Sequence, residues 1–447
     1  MQKVYDVIVC GGGPSGFNAA ISAARNGMKT ILIEATGLIG GNSVNALVGP
    51  WMTYHKDNKN IIKGIASELI TRLQNEQLTL GHIKDSLGFC DTVTPIDVEG
   101  IKHLFFEMLE EENVDILLHS LVTDVIMDNY LVKGIKTTTK SGIMDIMGKV
   151  IIDATGDGDV SAFAKADFVH GRSKDNLTQP MTMIFHVANV NIDVIKQEIK
   201  KDPENFVVSD DYDFQYLAVS GFFKEVEIAR TNNEFDLPRD RVLLFEEVNP
   251  NTVSINMTRV QGLSGIDALD LTKAEIEARK QIKKAFVFLK KYIPGFEKSY
   301  IVRTPSKIGV RETRHIIGDY LIDVEDIINC HHYKDSIALS GFPMDIHSPS
   351  GDSLELFDEN KELAYEIPLR SLIVKNVENL IVSGRCISAT HEASASLRVT
   401  PTVMAIGESA GVLAALSVKN SVSPRKISYV DVQKQLARQG QIYKRGI

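Results

Sequence analysis

Cysteine is scarce and scattered: the 447 residues hold four, Cys10, Cys90, Cys330 and Cys386. No two form a C-x-x-C pair, so nothing signals a redox dithiol or a cysteine zinc site. No run of 18 or more apolar residues occurs, so no membrane span is expected. There is no basic tract and the formal charge is −9, which argues against a nucleic-acid partner. A strand-like run begins by residue 4 and leaves no room for a secretory signal. A soluble cytoplasmic protein is the expectation, and the sequons at Asn176 and Asn256 then carry no meaning. The single tryptophan, Trp51, suits packing as well as it suits a platform for a ring. The chain exceeds the usual single-domain size, so two domains with sizeable cores are expected.

What is present begins at the N-terminus. Tyr5–Cys10 is a short apolar, β-branched run ended by Gly11-Gly-Gly-Pro-Ser-Gly16. A helix-like stretch follows to Asn26, and Thr30–Glu34 is a second buried-looking strand closed by an acid. Strand, glycine turn, helix, strand and acid form the dinucleotide-binding arrangement. Gly11 permits the tight turn, Gly13 lets the backbone approach a pyrophosphate, and Gly16 lets helix and sheet pack closely. Free N–H groups at the helix start can receive phosphate oxygens. Glu34 lies 18 residues beyond Gly16, a spacing suited to ribose hydroxyls, and its charge disfavours a 2′-phosphate.

Further along, Gly37, Gly40 and Gly41 make a backbone-rich loop able to wrap an extended ligand. Helices are expected over Ile61–Leu73 and Ile96–Glu111. A three-strand meander is expected over Leu117–Val125, Leu131–Thr138 and Gly148–Asp153. It runs into Ala154-Thr-Gly-Asp-Gly-Asp159, where glycines and acids sit at a strand's C-terminal end. Asp157 and Asp159 are expected to serve that loop, to cap the next helix, or both. From about residue 168 the composition changes: strand-like pieces at Met181–Val187 and Leu243–Met257, then a long helix over Lys273–Lys291. Candidate polar sets follow at Arg311–His315, Gly341–His347 and Tyr365–Arg370, none with three-ligand metal spacing. Each arginine there has an equally ordinary reading as a surface or interdomain ion pair. Asn379–Ile387 reads as a strand with a turn at Gly384. Pro401 then opens an apolar helix whose Gly407 and Gly411 share one face and admit a ring or another backbone.

Taken together, these residues resemble the FAD-dependent oxidoreductases of the glutathione-reductase-type flavoprotein fold. The matching pieces are Gly11–Gly16 with Glu34, Gly40-Gly41, Ile152–Asp159, Arg311–Arg314, Pro343–His347, Tyr365–Arg370, Ser383–Ser388 with His391 and Arg398, and Gly407–Gly411. The implied architecture is α/β: an FAD-binding Rossmann-like domain over 1–165, an inserted α+β substrate or capping domain over 166–340, and a return to the FAD-binding domain over 341–447. The resemblance implies FAD, with Gly11, Gly13, Pro14, Ser15 and Gly16 at the pyrophosphate and Glu34 and Ala35 at the adenosine ribose. Gly40, Gly41, Asn42 and Ser43 would follow the cofactor toward its ring. Val122, Ala154, Thr155 and Gly156 would lie on the adenine side, and Gly384, Arg385, Gly407 and Ala410 at the other end. For chemistry, Arg311, Arg314, Arg370 and Arg398 are candidates to hold an anion, and His347 or His391 to move a proton. The expected reaction is hydride transfer with a small organic acid or another small polar metabolite. The electron partner is left open among a quinone, another protein and oxygen, and a homo-oligomer is allowed. The rival reading is a flavin-binding structural or sensory protein without turnover.

Overall fold

The computed structural model describes residues 4–209, 212–350, 354–355 and 364–446. Strand β1 (Val4–Cys10) and strand β2 (Thr30–Ile33) pair in parallel, with Val7 opposite Thr30, and are joined by helix α1 (Pro14–Arg25). Val7 to Cys10 are wholly buried, as a central strand covered on both faces requires. The sheet runs from Asp115–Leu117 through β2 and β1 to Gly142–Asp153, Leu131–Thr139 and Leu121–Asp128. Leu380–Val382 returns late in the sequence to pair in parallel with the end of Gly142–Asp153.

Two strand boundaries differ from the expected ones for local reasons. The third meander strand starts at Gly142 rather than Gly148, and its first half pairs antiparallel with Leu131–Thr139. Ile143 and Met144 are exposed in that arm, so hydrogen bonding and not burial makes it a strand, and the hydrophobic pattern is silent there. The expected Leu117–Val125 strand is two strands. The chain turns at His119 (φ 51°), sending Asp115–Leu117 to the parallel edge and Leu121–Asp128 to the meander.

The helix Thr400–Asn420 is long and apolar enough to cross a membrane, yet 89% of its most apolar window is buried inside the fold. It lies on α1 with backbones in contact. A β-carbon on Gly407 would overlap the Ser15 carbonyl, and one on Gly411 would overlap that of Ala19. The Ser22 hydroxyl donates to the Glu408 carbonyl at 2.8 Å across the same seam.

A second, antiparallel sheet has the order Ala218–Gly221, Val242–Glu246, Val253–Ile255, Phe185–Ala188, Tyr300–Arg303. The helix Ala268–Tyr292 packs its Ala274, Ala278, Ile282, Ala285 and Leu289 into a core shared with this sheet and separate from the first. It begins five residues before the expected Lys273, because the Asp267 carboxylate accepts from the N–H groups of Leu269 and Asp270.

Candidate functional site

A cavity of about 990 Å³ is lined from the segments of both sheets, by Glu34 and Val122 and also by Arg239, Arg311 and His347. The glycine turn is on its wall. Gly13 caps α1 without a side chain, and Pro14 occupies the first helical position, so the first-turn N–H groups keep no side-chain partner. Such a start favours an anion through its free donors and the helix dipole. Gly41 approaches from across the turn, so closely that a β-carbon there would stand 2.8 Å from Gly13 Cα. A flat backbone cradle of this kind admits a pyrophosphate where side chains would fill the space. The Glu34 carboxylate accepts from the N–H of Gly12 at 2.7 Å and of Thr36 at 2.8 Å. It thus fixes the turn while keeping lone pairs for a ribose hydroxyl.

Of the sequence-derived cofactor positions, Gly11, Gly13, Pro14, Ser15, Glu34, Ala35, Gly41, Asn42, Ser43, Val122, Ala154, Thr155, Gly156, Gly384 and Arg385 line this cavity. Four are absent from the wall. Gly16 sits against the Gly11 carbonyl, and Gly40 packs toward Val44 and Phe105 while donating its N–H to the Gly12 carbonyl at 2.7 Å. Gly407 and the buried Ala410 belong to the helix seam. The part of that helix on the wall is its start, Val399, Thr400 and Val403, again without a side-chain cap. Asp157 and Asp159 do not cap the following helix. Asp157 accepts from Arg385 at 2.6 Å and Asp159 from Arg314 at 2.9 Å, while Asp153 takes the N–H and hydroxyl of Ser161 at 2.8 and 2.7 Å.

The candidate catalytic residues divide evenly. Arg311, His347 and Arg398 line the cavity. Arg314, Arg370 and His391 do not: Arg314 is held by Asp159, and Arg370 is half-exposed against Asp335 at 2.9 Å. His391 sits on buried Glu312 at 2.8 Å; Glu312 also engages His315 at 3.1 Å and the Gln179 N–H at 2.8 Å. Burial alone would raise the Glu312 carboxyl, but its two histidine hydrogen bonds override that and hold it low.

Sequence reading gave no role to Arg239 or Gln179, and none to Asp345 although it lies within Gly341–His347. Arg239 is buried on the cavity wall, with one long hydrogen bond from Nη2 to Asn256 Oδ1 at 3.4 Å. Its only sequence signal is the dense trio Arg239-Asp-Arg241 ahead of a strand. Burial, then repulsion from Arg259, pushes its pKa down to about 10. Arg311 donates to the Pro180 carbonyl at 2.6 Å, and burial followed by repulsion from Arg398 and Arg239 drives it well below the usual guanidinium range. Gln179 Oε1 accepts from both the His347 N–H and Arg398 Nη2 at 3.2 Å, tying the two together. Burial would raise the Asp345 carboxyl, but His347, Arg398 and Arg311 hold it well below the usual carboxylate range. His347 is drawn down to about 3 by burial and by Arg311, so at neutral pH its ring is neutral and Nε2–H donates to Asp345 Oδ2 at 3.1 Å. Nδ1 is then an acceptor, and it is buried without a partner among the described residues. Phe89 and Phe342, edge to face at 5.5 Å, join Ile184, Leu243 and Phe245 as an apolar lining.

Fold and cavity together define a dinucleotide-binding α/β protein with a buried cationic wall beside the dinucleotide cradle. Residues 6–436 match the model of the family described as FAD dependent oxidoreductase, and the chain belongs to that family. It is an enzyme, and its cofactor is FAD. Among curated proteins it is 30% identical over 164 residues to a digeranylgeranylglycerophospholipid reductase of Picrophilus torridus, covering 35% of this chain and 40% of that one. It is 28% identical over 176 residues to a dihydrolipoyl dehydrogenase 3 of Pseudomonas putida, covering 38% and 30%. The matches thus span two fifths or less of these relatives' lengths. A solved structure from Thermoplasma acidophilum, described as geranylgeranyl bacteriochlorophyll reductase-like, superposes with TM-score 0.48 at 14% identity, covering 100% of this chain and 85% of that one.

Proposed function

We propose that this FAD enzyme oxidises or reduces a small organic acid, or a closely related polar metabolite. The anion would be held by Arg311 and Arg398, and a proton moved by His347. The observation that carries the reading is the buried cationic wall with the Asp345–His347 pair inside the same cavity as the dinucleotide cradle. Bound FAD supplies the hydride acceptor or donor. Arg311 and Arg398 clamp and orient the substrate anion. Ionised Asp345 fixes the His347 tautomer, leaving Nδ1 to accept a proton from a substrate O–H or N–H in the oxidative direction. Gln179 holds His347 and Arg398 in register, and the apolar lining keeps bulk water from the reacting bond. Arg314, Arg370 and His391 brace neighbouring segments.

The glutathione-reductase-type subclass belongs to the same proposal, with 166–340 as a substrate or capping domain between 1–165 and 341–447. Support comes from the separate core of the antiparallel sheet and from the return of Leu380–Val382 to the parallel one. The electron partner would be a quinone, another protein or oxygen, and the widely separated cysteines suit a cytoplasmic setting. The test is anaerobic addition of small acids, amines and alcohols to the purified flavoprotein. Bleaching of the flavin bands by an acid supports the reading, and bleaching by amines or alcohols alone overturns it.

A further inference from the structure

Ile83–Lys84 pairs antiparallel with Thr92–Thr94, Lys84 opposite Thr92, and Asp85 to Asp91 form the tip of this hairpin. Asp85, Leu87, Gly88, Phe89, Cys90 and Asp91 all line the cavity, and Gly88 at the apex is exposed, so the tip is part of the rim between cavity and solvent. Phe89 stands edge-on to Phe342 at 5.5 Å, in the segment that carries Asp345 and His347. The tip is braced from within. The buried Asp85 carboxylate accepts from the N–H groups of Leu87, Phe89 and Cys90 at 3.1, 2.8 and 3.0 Å, and the Asp85 N–H donates to the Asp91 carbonyl at 3.2 Å. The foot of the hairpin is fixed too: the Thr79 hydroxyl donates to the Pro95 carbonyl at 2.6 Å, and Thr92 Oγ1 meets Thr53 Oγ1 at 2.9 Å. Toward the second sheet's segment the seam among the described residues is lighter. The Ser86 carbonyl accepts from the N–H and hydroxyl of Ser209 at 3.2 and 2.9 Å, and the Ser86 hydroxyl meets the Asp213 carbonyl and N–H at 3.4 and 3.3 Å. Leu87 and Cys90 pack on a small core of Val93, Tyr216, Ala218 and Phe245, apart from the two large ones.

Segments with few buried apolar contacts open at a smaller free energy than the whole fold, and one that keeps its internal hydrogen bonds opens as a body instead of melting. A site that admits a substrate and then excludes water is served by such an element. We propose that the Asp85–Asp91 tip is a flap over the cavity, swinging as a rigid unit on the short Ile83–Lys84 and Thr92–Thr94 ladder, with Ser86 as its latch to Ser209 and Asp213. Closed, it sets Phe89 against Phe342 and completes the apolar lining. Open, it parts Leu87 and Cys90 from the small core and clears a way in for substrate and out for product. Asp85 is then a positioning residue, which keeps the tip's shape through the swing. The flap serves any substrate the cavity takes and so stands apart from the small-acid reading.

The experiment uses the FAD-loaded full chain. Hydrogen exchange reads the latch: the Ser209 and Asp213 amides, which donate to Ser86, should exchange at least about tenfold faster than those of Leu87, Phe89 and Cys90, which travel with Asp85. Tip amides that exchange as fast as the latch amides, or faster, overturn the rigid flap, because the loop then melts. A disulfide reads the consequence. A β-carbon on Gly88 would stand 3.5 Å from Ser209 Cβ, within the span a disulfide bridges, so Gly88→Cys with Ser209→Cys in a Cys90→Ser background should lock the seam. Bleaching of the flavin by anaerobic dithionite, followed by stopped flow, is expected to be at least about tenfold slower in the locked protein than in the same protein with its bridge reduced, at equal FAD content. Equal rates in the two forms overturn the gate. Should the bridge not close, the exchange ratio decides.

Discussion

Replacing Gly407 by alanine tests the seam on which the cofactor cradle rests. Two opposing effects have to be weighed. Alanine in a helix interior is favoured over glycine by about 0.8–1 kcal/mol. Against that, the new β-carbon would stand 2.8 Å from Ser15 C and 2.9 Å from Ser15 Cα, and closer still to the carbonyl oxygen, inside the 3.0 Å that β-carbons respect. The obstructing atoms are backbone, so no rotamer relieves the contact and the two helices must part. Overpacking of this sort costs about 1–3 kcal/mol, and rigid backbone on both sides places the cost at the upper end. The net expectation is a loss of about 1–2 kcal/mol after the propensity gain. The displaced atoms carry the first turn of α1, where Ser15 lines the cavity and its hydroxyl meets that of Ser383 at 2.7 Å, so FAD affinity should fall as well. Urea unfolding of the apoprotein reads the first effect, and titration with FAD followed by quenching of flavin fluorescence reads the second. Gly411→Ala meets the same seam at Ala19 and Ser22, so the double variant should lose less than the sum of the two, the helices having already parted. A Gly407→Ala protein as stable as the wild type, or more so, would refute the claim of backbone contact.

Other perturbations read other parts of the molecule. Burial pushes the Glu408 carboxyl up to about 8, so between the unfolded value near 4.5 and about 8 the folded state holds a proton the unfolded state has lost, and stability falls as pH rises through that window. Glu408→Gln should remove about 2–3 kcal/mol of the wild-type decline between pH 5.5 and 7.5 in urea titrations, and an unchanged slope sinks the idea. Glu34→Ala strips the acceptor from the Gly12 and Thr36 N–H groups as well as from the ribose; FAD affinity is expected to drop at least about tenfold, and a drop of under twofold would count against it. Arg370→Ala should change stability by under about 1 kcal/mol and leave flavin reduction intact, because its partner Asp335 is away from the cavity wall; a large loss of turnover would return Arg370 to the site. A bound anion offsets Arg311, so His347 should titrate higher in the substrate complex than in free enzyme: kcat should acquire an acid limb that kcat/KM lacks, and two identical profiles would remove His347 as the base.

The parts of the site legible in the sequence were those whose chemistry is local. A glycine turn between two apolar runs dictates a cradle over a few residues, and Glu34 follows at a fixed distance, so most of the positions named there do line the cavity. Gly407 was legible as a position of close approach but not as to what approaches, since a face four residues apart looks the same toward a ring or a backbone. Arg314, Arg370 and His391 fall in the same motifs as Arg311, His347 and Arg398. Only the distant partners Asp159, Asp335 and Glu312 separate the two groups, and periodicity carries no information about them. Arg239 was invisible because it reaches the cavity from the second sheet's segment, more than seventy residues before the nearest arginine of the motif.

The two buried charge systems beside the cavity are built in opposite ways, and the contrast bears on function. Glu312 is wholly buried, yet each oxygen is met, by His315 and His391 on one side and by the Gln179 N–H on the other. Such a group needs nothing further and serves as a fixed point, from which Gln179 extends to His347 and Arg398. Arg239 and Arg311 are buried too but lean on neutral oxygens, the Asn256 amide and the Pro180 carbonyl, while Asp345 stands 3.7 Å from Arg398. An anionic substrate of the kind proposed above would give Arg311 a charged partner and so relieve the repulsion that, after burial, holds His347 low.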